Sequence, residues 1–215
     1  MNRLRVRFKR GPEVKFISHL DIIRLWYRAF LRAGIELAYS EGFNPHPRIS
    51  LAAPLALGVT SEAELMDIWL AKYISPHSFI TCVSQQLPLG MEILQVYQIA
   101  LTLPSLQSQV RYAEYRVEVT AKEGTKYITE TITSLLAKEH LPWQHQRDTG
   151  PKNYDLRALI DDLWLTEWHS GYCSIGMRLR CCSSGSGRPE QVTAALGFTN
   201  HPVSVHRTKL ILETS

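Results

Sequence analysis

Residues 4–34, LRVRFKRGPEVKFISHLDIIRLWYRAFLRAG, change hydrophobic period once, and that change decides the fold. LRVRFKR alternates strictly, as a strand does: Leu4, Val6 and Phe8 fall on one face, Arg3, Arg5 and Arg7 on the other. Gly11-Pro12 ends it. FISHLDIIRLWYRAFLRAG then repeats as a helix. Ser18 and Asp21 have capping-box spacing, with Ser18 as the cap and Asp21 reaching back. Gly34 suits the left-handed stop after the last turn. Ile23, Tyr27, Phe30 and Leu31 mark an apolar stripe, and Arg24, Arg28 and Arg32 a basic one.

Strand and helix thus each align three arginines. Like charges at this helical spacing weaken a helix by a few tenths of a kcal/mol per pair, and arginines on one strand face repel unless an anion covers them. Both stripes therefore ask for a ligand. Residues 1–48 hold ten Lys/Arg against four Asp/Glu, whereas the rest of the chain holds fourteen against sixteen. The positive excess lies wholly in the first quarter, which favours a polyanion such as RNA, or an acidic protein surface.

Working outward, RISLAAPLALGV and ELMDIWLAKYI read as extended, SPHSFITCVSQQLP as a helix begun by Ser-Pro, and MEILQVYQIAL as a strand. Strand, helix, strand, strand, helix, strand is the ferredoxin-like split unit. TLPSLQSQVR, residues 102–111, reads as a linker, after which the order recurs. AEYRVEVTA is a strand, TKYITETITSLLAKEH a helix, and YDLRALIDDLWLTEW with GYCSIGMRLRC two extended segments around a turn. The loop SSGSGRP, a short helix PEQVTAALG and the strand SVHRTKLIL follow. The expected fold class is α+β, two tandem ferredoxin-like (βαββαβ) units over residues 1–101 and 112–215.

With 45% hydrophobic and 20% charged residues the composition is that of a globular chain. It has no apolar run near the ~20 residues that cross a bilayer, and the basic N-terminus precedes a strand pattern, not a signal core. Cys82, Cys173, Cys181 and Cys182 form no C-x-x-C pair, which fits reduced thiols in the cytoplasm better than a zinc site or disulfide framework. His140, His145, His169, His201 and His206 lack metal-ligand spacing, and no phosphate-binding glycine motif occurs. Neither a metal nor a cofactor is expected.

KFISHLDIIRLWYRAFLRAG, followed by YSEGFNPHPRISLAAPLALGVTSEAELMDI, resembles the bacterial family of radical-SAM-linked conserved hypothetical proteins, and NYDLRALI at residues 153–160 matches a second, shorter motif. Members occur as separate chains or joined to the C-terminus of a radical SAM enzyme. With no three-cysteine cluster motif, this chain is implied to be the partner of that enzyme and not the enzyme itself. Paired ferredoxin-like domains with a basic first half also resemble the CRISPR-repeat-processing endoribonucleases, which often cut RNA without metal and carry a glycine-rich loop near the C-terminus, where this chain has CCSSGSGRP.

EGFNPHPRIS, residues 41–50, joins the first helix to the second strand. Pro45 and Pro47 fix φ and bias their predecessors to extended backbone, so Asn44 and His46 lose little entropy on binding. A rigid corner and a recognition platform of Asn44, His46 and Arg48 are both compatible with this pattern. His19 follows the helix cap, where the helix dipole disfavours an imidazolium, a position compatible with a base or with an inert histidine bonded to a backbone carbonyl. The expectation is an RNA-binding accessory protein of a radical SAM enzyme. Arg3, Arg5, Arg7, Arg24, Arg28 and Arg32 would contact phosphates, and Asn44, His46 and Arg48 would position the strand. The alternatives are a metal-independent endoribonuclease using His19 and His46, and a protein-interaction module docked on the radical SAM enzyme.

Overall fold

In a computed structural model, which describes residues 2–147, 150–169, 171–182 and 184–213, the chain divides into two units. The first runs to Val110 and takes back the chain end from Leu212, and the second is Arg111–Ile211. Among the described residues no helix is long and apolar enough to cross a membrane.

The first unit comprises β1 (Asn2–Arg10), α1 (His19–Arg32), β2 (Ile49–Leu51), β3 (Thr60–Leu70), α2 (Pro76–Ser84), β4 (Met91–Ile99) and the single turn α3 (Leu106–Gln109). Strand β1 lies between β3 and β4, β2 pairs the far side of β3, and every pairing is antiparallel. Of the RISLAAPLALGV run only Ile49–Leu51 pairs as strand. Pro54, without an N–H, suits the segment that leaves the ladder. Leu4, Val6 and Phe8 on β1, with Met66, Ile68 and Leu70 on β3, face the helices and are fully buried.

Helix α1 starts as its sequence implies, with one difference. The Ser18 hydroxyl oxygen accepts from the Asp21 N–H at 3.2 Å, but Asp21 answers through its side chain, accepting from the Ser18 hydroxyl at 2.7 Å. The buried face is Ile22, Trp26, Ala29 and Phe30; of the expected stripe, Ile23 and Tyr27 are half-buried and Leu31 is 54% exposed. The arc turned because Trp26 is the better plug. Its indole packs edge-on to Phe8 at 4.9 Å and stacks on Phe30 at 5.5 Å, and Phe30 in turn meets Phe79 of α2 at 5.8 Å. Each fully buried side chain of this size contributes about 1.5–3 kcal/mol relative to exposure.

The second unit contains β5 (Val110–Ala121), α4 (Thr125–Leu136), β6 (Pro142–Arg147), β7 (Gly150–Asp155), β8 (Ile160–His169), β9 (Gly171–Cys182), β10 (Gly185–Ser186), α5 (Pro189–Ala195) and β11 (Ser204–Leu212). Strand β9 lies between β5 and β8, antiparallel to both, while β5 borders β11 on its other side. The neighbour order β11–β5–β9–β8 repeats the β4–β1–β3–β2 order of the first unit. The hairpin β6–β7, which the sequence pattern did not reveal, is inserted between α4 and β8. YDLRALIDDLWLTEW is not one extended segment: a single helical turn at Arg157–Leu159 separates β7 from β8. At the β8–β9 pairing Trp164 lies across Gly176, where a Cβ atom would stand 2.0 Å from the ring.

Candidate nucleic-acid interface

Alternation along β1 sends its arginines to the sheet face opposite α1. There Arg3 lies beside Trp69 and Arg5 beside Asp67 in the β1–β3 register. The Asp67 carboxylate is fully buried and takes both guanidinium groups: Arg3 through Nη2 at 2.6 Å, Arg5 through Nε at 2.7 Å and Nη2 at 2.9 Å. The expected linker covers the pair. Arg3 also donates to the carbonyls of Leu103 at 2.7 Å and Pro104 at 2.9 Å, and Arg5 reaches the Gln109 side chain at 3.4 Å. Burial alone would push the Arg5 guanidinium down, but the Asp67 hydrogen bond and charge outweigh it and hold it above its usual range. With 2% and 4% exposure, Arg3 and Arg5 offer nothing to a phosphate. This corrects the strand half of the expected RNA-contact set: the anion that the arginine stripe called for is Asp67. Arg7 is half-buried and donates to the Glu62 carbonyl, at 3.2 and 3.3 Å.

The α1 arginines have a different fate. Arg24, Arg28 and Arg32 are all exposed, on the side of the helix away from Trp26. They line a groove of about 680 Å³ whose other wall is the chain after α2, Gln85 to Pro88. Arg24 is partnered by Asp21 at 2.9 Å. The Asp21 carboxylate is lowered by the Ser18 hydroxyl first and Arg24 second. Arg32 donates to the Gln86 carbonyl at 2.7 Å and to its side-chain oxygen at 3.3 Å, neutral acceptors that leave its charge uncompensated. Arg28 has no hydrogen-bond or ion-pair partner among the described residues. The Gln85–Pro88 wall carried no signal in the sequence, because its residues matter for position and backbone oxygen and not for type.

The loop after α1 is closed by its own backbone. Tyr39 and Pro47 form a bridge, the Ser40 N–H donates to the His46 carbonyl at 2.9 Å, and the His46 N–H donates to the Ser40 hydroxyl at 2.9 Å. Gly42, at φ 117°, makes the turn that a side chain would resist. Phe43 is wholly exposed, and Asn44 and His46 are exposed beside it. Arg48, half-buried, sets its guanidinium over the Trp69 ring at 4.7 Å, the same indole that Arg3 meets at 4.6 Å. A Tyr27–Tyr39 hydroxyl contact of 3.1 Å ties the foot of the loop to α1. At about 100° per residue, Tyr27 lies on one flank of the arginine stripe and Leu25, in the groove, on the other. Helix and loop therefore bring Arg24, Arg28, Arg32, Asn44 and His46 to the accessible surface of one unit.

His19, half-buried, is the first residue of α1, about 12 Å along the axis from Tyr27 at 1.5 Å per residue. Among the described residues no hydrogen bond joins His19 to His46.

A family described as "Uncharacterized protein conserved in bacteria (DUF2344)" matches residues 3–189. No curated protein matches. Among solved structures, a chain of "Crystal Structure of a Cbf5-Nop10-Gar1 Complex" superposes with a TM-score of 0.52 at 7% identity, over 96% of this chain and 48% of that one. A chain of the archaeal box H/ACA sRNP Nop10–Cbf5 complex gives 0.50 at 9% identity, over 97% and 48%. One from "Structure of H/ACA RNP bound to a substrate RNA containing 2'-deoxyuridine" gives 0.51 at 8%, over 96% and 47%. This chain spans about half the length of those it matches, and at such identities the likeness is one of fold.

Proposed function

The chain belongs to the bacterial DUF2344 family, and we propose that it is an RNA-binding accessory protein that serves a radical SAM enzyme in RNA modification. The observation that carries the RNA half is the α1 face: three exposed arginines along one groove, with one carboxylate, Asp21, among them. Phosphates of a single strand would lie along the groove, and Asn44, His46 and Phe43 would meet nucleotides beside it, Phe43 by stacking. The RNA-bound H/ACA assembly among the structural neighbours supports the same reading. The radical SAM half is supported by the sequence resemblance and by an exposed apolar patch. Phe16 and Leu57 are 72% and 62% exposed. The Gly58 N–H donates to the Lys15 carbonyl at 2.9 Å, which holds Leu57 near Phe16. The recurring strand order supports two tandem ferredoxin-like units as the scaffold.

The test is fluorescence anisotropy of single-stranded RNA across a salt series. With Arg3 and Arg5 buried on Asp67 and Arg7 turned to the Glu62 carbonyl, the three α1 arginines remain for phosphates, so log affinity should fall against log salt with slope about −2, at roughly 0.7 per contact. Binding indifferent to salt overturns the RNA half. The partner half is tested by co-purification with the radical SAM protein after nuclease treatment, and loss of that complex in Phe16→Ser/Leu57→Ser is the expected result.

A further inference from the structure

A second basic hollow, far in sequence from α1, lies wholly within the second unit. Its volume is about 380 Å³, and it is lined by His145 of β6, Lys152 of β7, Arg180 near the end of β9 and Arg188 before α5. His145 and Lys152 face each other across the hairpin register. The turn Gly185–Ser186 closes one side; Cβ atoms at Gly185 and Gly187 would stand 2.8 and 3.0 Å from Leu159 atoms, so small residues let this turn sit down on its neighbour. Ser183 of the same loop lies outside the described residues.

The charge is unbalanced. Among the described residues neither Lys152 nor Arg180 has a carboxylate partner, and Arg188 has only Glu190, at 4.0 Å. The one acid lining the hollow, Asp155, is already committed. Its Oδ1 accepts the N–H groups of Leu141 at 2.9 Å and Arg157 at 3.0 Å, and its Oδ2 meets His140 at 2.8 Å. Arg188 donates to His145 Nε2 at 3.3 Å, which orients a guanidinium on the rim and leaves its other N–H groups to a ligand. Ser184 and Ser186 add hydroxyl donors.

We infer that this hollow binds a phosphate monoester carried on a nucleotide. Three cations from three elements match a dianion better than the single charge of a backbone phosphodiester, and arginine offers the forked geometry that phosphate oxygens accept. The volume exceeds what a bare ion needs and leaves room for the attached sugar. The site goes beyond the RNA reading, since none of its residues belongs to α1 or its loop. The monoester could be the 5′ end of an RNA or a free nucleotide.

Two measurements on the full chain test it. Adenosine 5′-monophosphate is titrated calorimetrically, and anisotropy compares ten-nucleotide RNAs that differ only in a 5′-phosphate or 5′-hydroxyl. The expected result is a preference for the 5′-phosphate of about tenfold, abolished in Lys152→Gln/Arg180→Gln and retained in Arg24→Gln/Arg28→Gln/Arg32→Gln even as both affinities fall. Arg188→Gln should weaken the preference independently. If the monophosphate binds and displaces RNA, a free nucleotide is the source; if only the phosphorylated end binds, it is RNA. Absence of both monophosphate binding and the 5′ preference overturns the inference, as does a preference that survives the double variant. Should no RNA bind at all, the titration alone still decides.

Discussion

The guanidinium of Arg5 lies across the carboxylate of Asp67 as a two-pronged pair, Nε to Oδ1 at 2.7 Å and Nη2 to Oδ2 at 2.9 Å, and Arg3 shares the second oxygen at 2.6 Å. One buried anion thus serves two buried cations. Removing it strands both, whereas removing one arginine leaves a balanced pair. Asp67→Asn should therefore cost about 3–5 kcal/mol in urea unfolding, and Arg3→Met distinctly less. Equal losses would mean that the triad does not act as a charge-balanced unit.

The same geometry separates two roles for arginine. Arg24→Gln/Arg28→Gln/Arg32→Gln changes only exposed groups, so it should leave unfolding nearly unchanged while the salt slope for an RNA with a 5′-hydroxyl flattens from about −2 to near zero. A slope that persists in this variant would move the RNA contacts elsewhere on the molecule.

The element order was legible because the first unit obeys its local signals: period two in LRVRFKR, the Ser18 cap, Ser75-Pro76 ahead of α2. The misreading of Arg3 and Arg5 has a definite origin. Leu4, Val6 and Phe8 had to face α1, which already placed the β1 arginines on the other side of the sheet from Arg24, Arg28 and Arg32. One hollow shared by all six was excluded by alternation itself. That Asp67 would neutralise two of them depended on the pairing of residues 5 and 67, which no local pattern encodes. Likewise His145, Lys152, Arg180 and Arg188 meet only through the hairpin and the β9–α5 turn. The loop of Asn44 and His46 was legible as the connector between the first helix and the second strand because two prolines and a glycine act within a few residues.

Trp26 joins β1, α1 and α2 through Phe8, Phe30 and Phe79. Trp26→Ala should destabilise the chain by about 3–5 kcal/mol. Among the described residues its buried indole N–H has no hydrogen-bond partner, so Trp26→Phe removes a desolvated donor along with some packing and should cost much less. Thermal melts of the two variants separate packing from polarity.

Asp155 supplies a pH dependence of known sign. The contact with His140, then the Leu141 and Arg157 N–H groups, hold its carboxyl below the usual carboxylate range. A depressed carboxyl contributes stability that is present above its unfolded pKa and lost as pH falls through the folded value. The window therefore lies below about pH 4. Asp155→Asn keeps an oxygen for the two N–H groups and removes the charge, so its melting temperature should lie below that of the parent at pH 6, and the gap should narrow as pH falls below about 4. Parallel curves would remove the charge from the account of this turn.

Gly176 and Trp164 make the sharpest steric prediction. They are register partners on β9 and β8, and a Cβ atom at residue 176 would stand 2.0, 2.2 and 2.5 Å from three atoms of the indole. No rotation of a methyl group relieves such a contact; the ring must lift from the sheet or the strands must part. Gly176→Ala should cost about 1–3 kcal/mol, although alanine is ordinarily the better residue in a strand interior. The partner change shows whether the ring is the cause. With Trp164→Ala in place those three indole contacts are gone, so the double variant should be more stable than the two single losses imply, by about 0.5–3 kcal/mol of coupling. Strict additivity would place the cost in the backbone of β9 and acquit the indole.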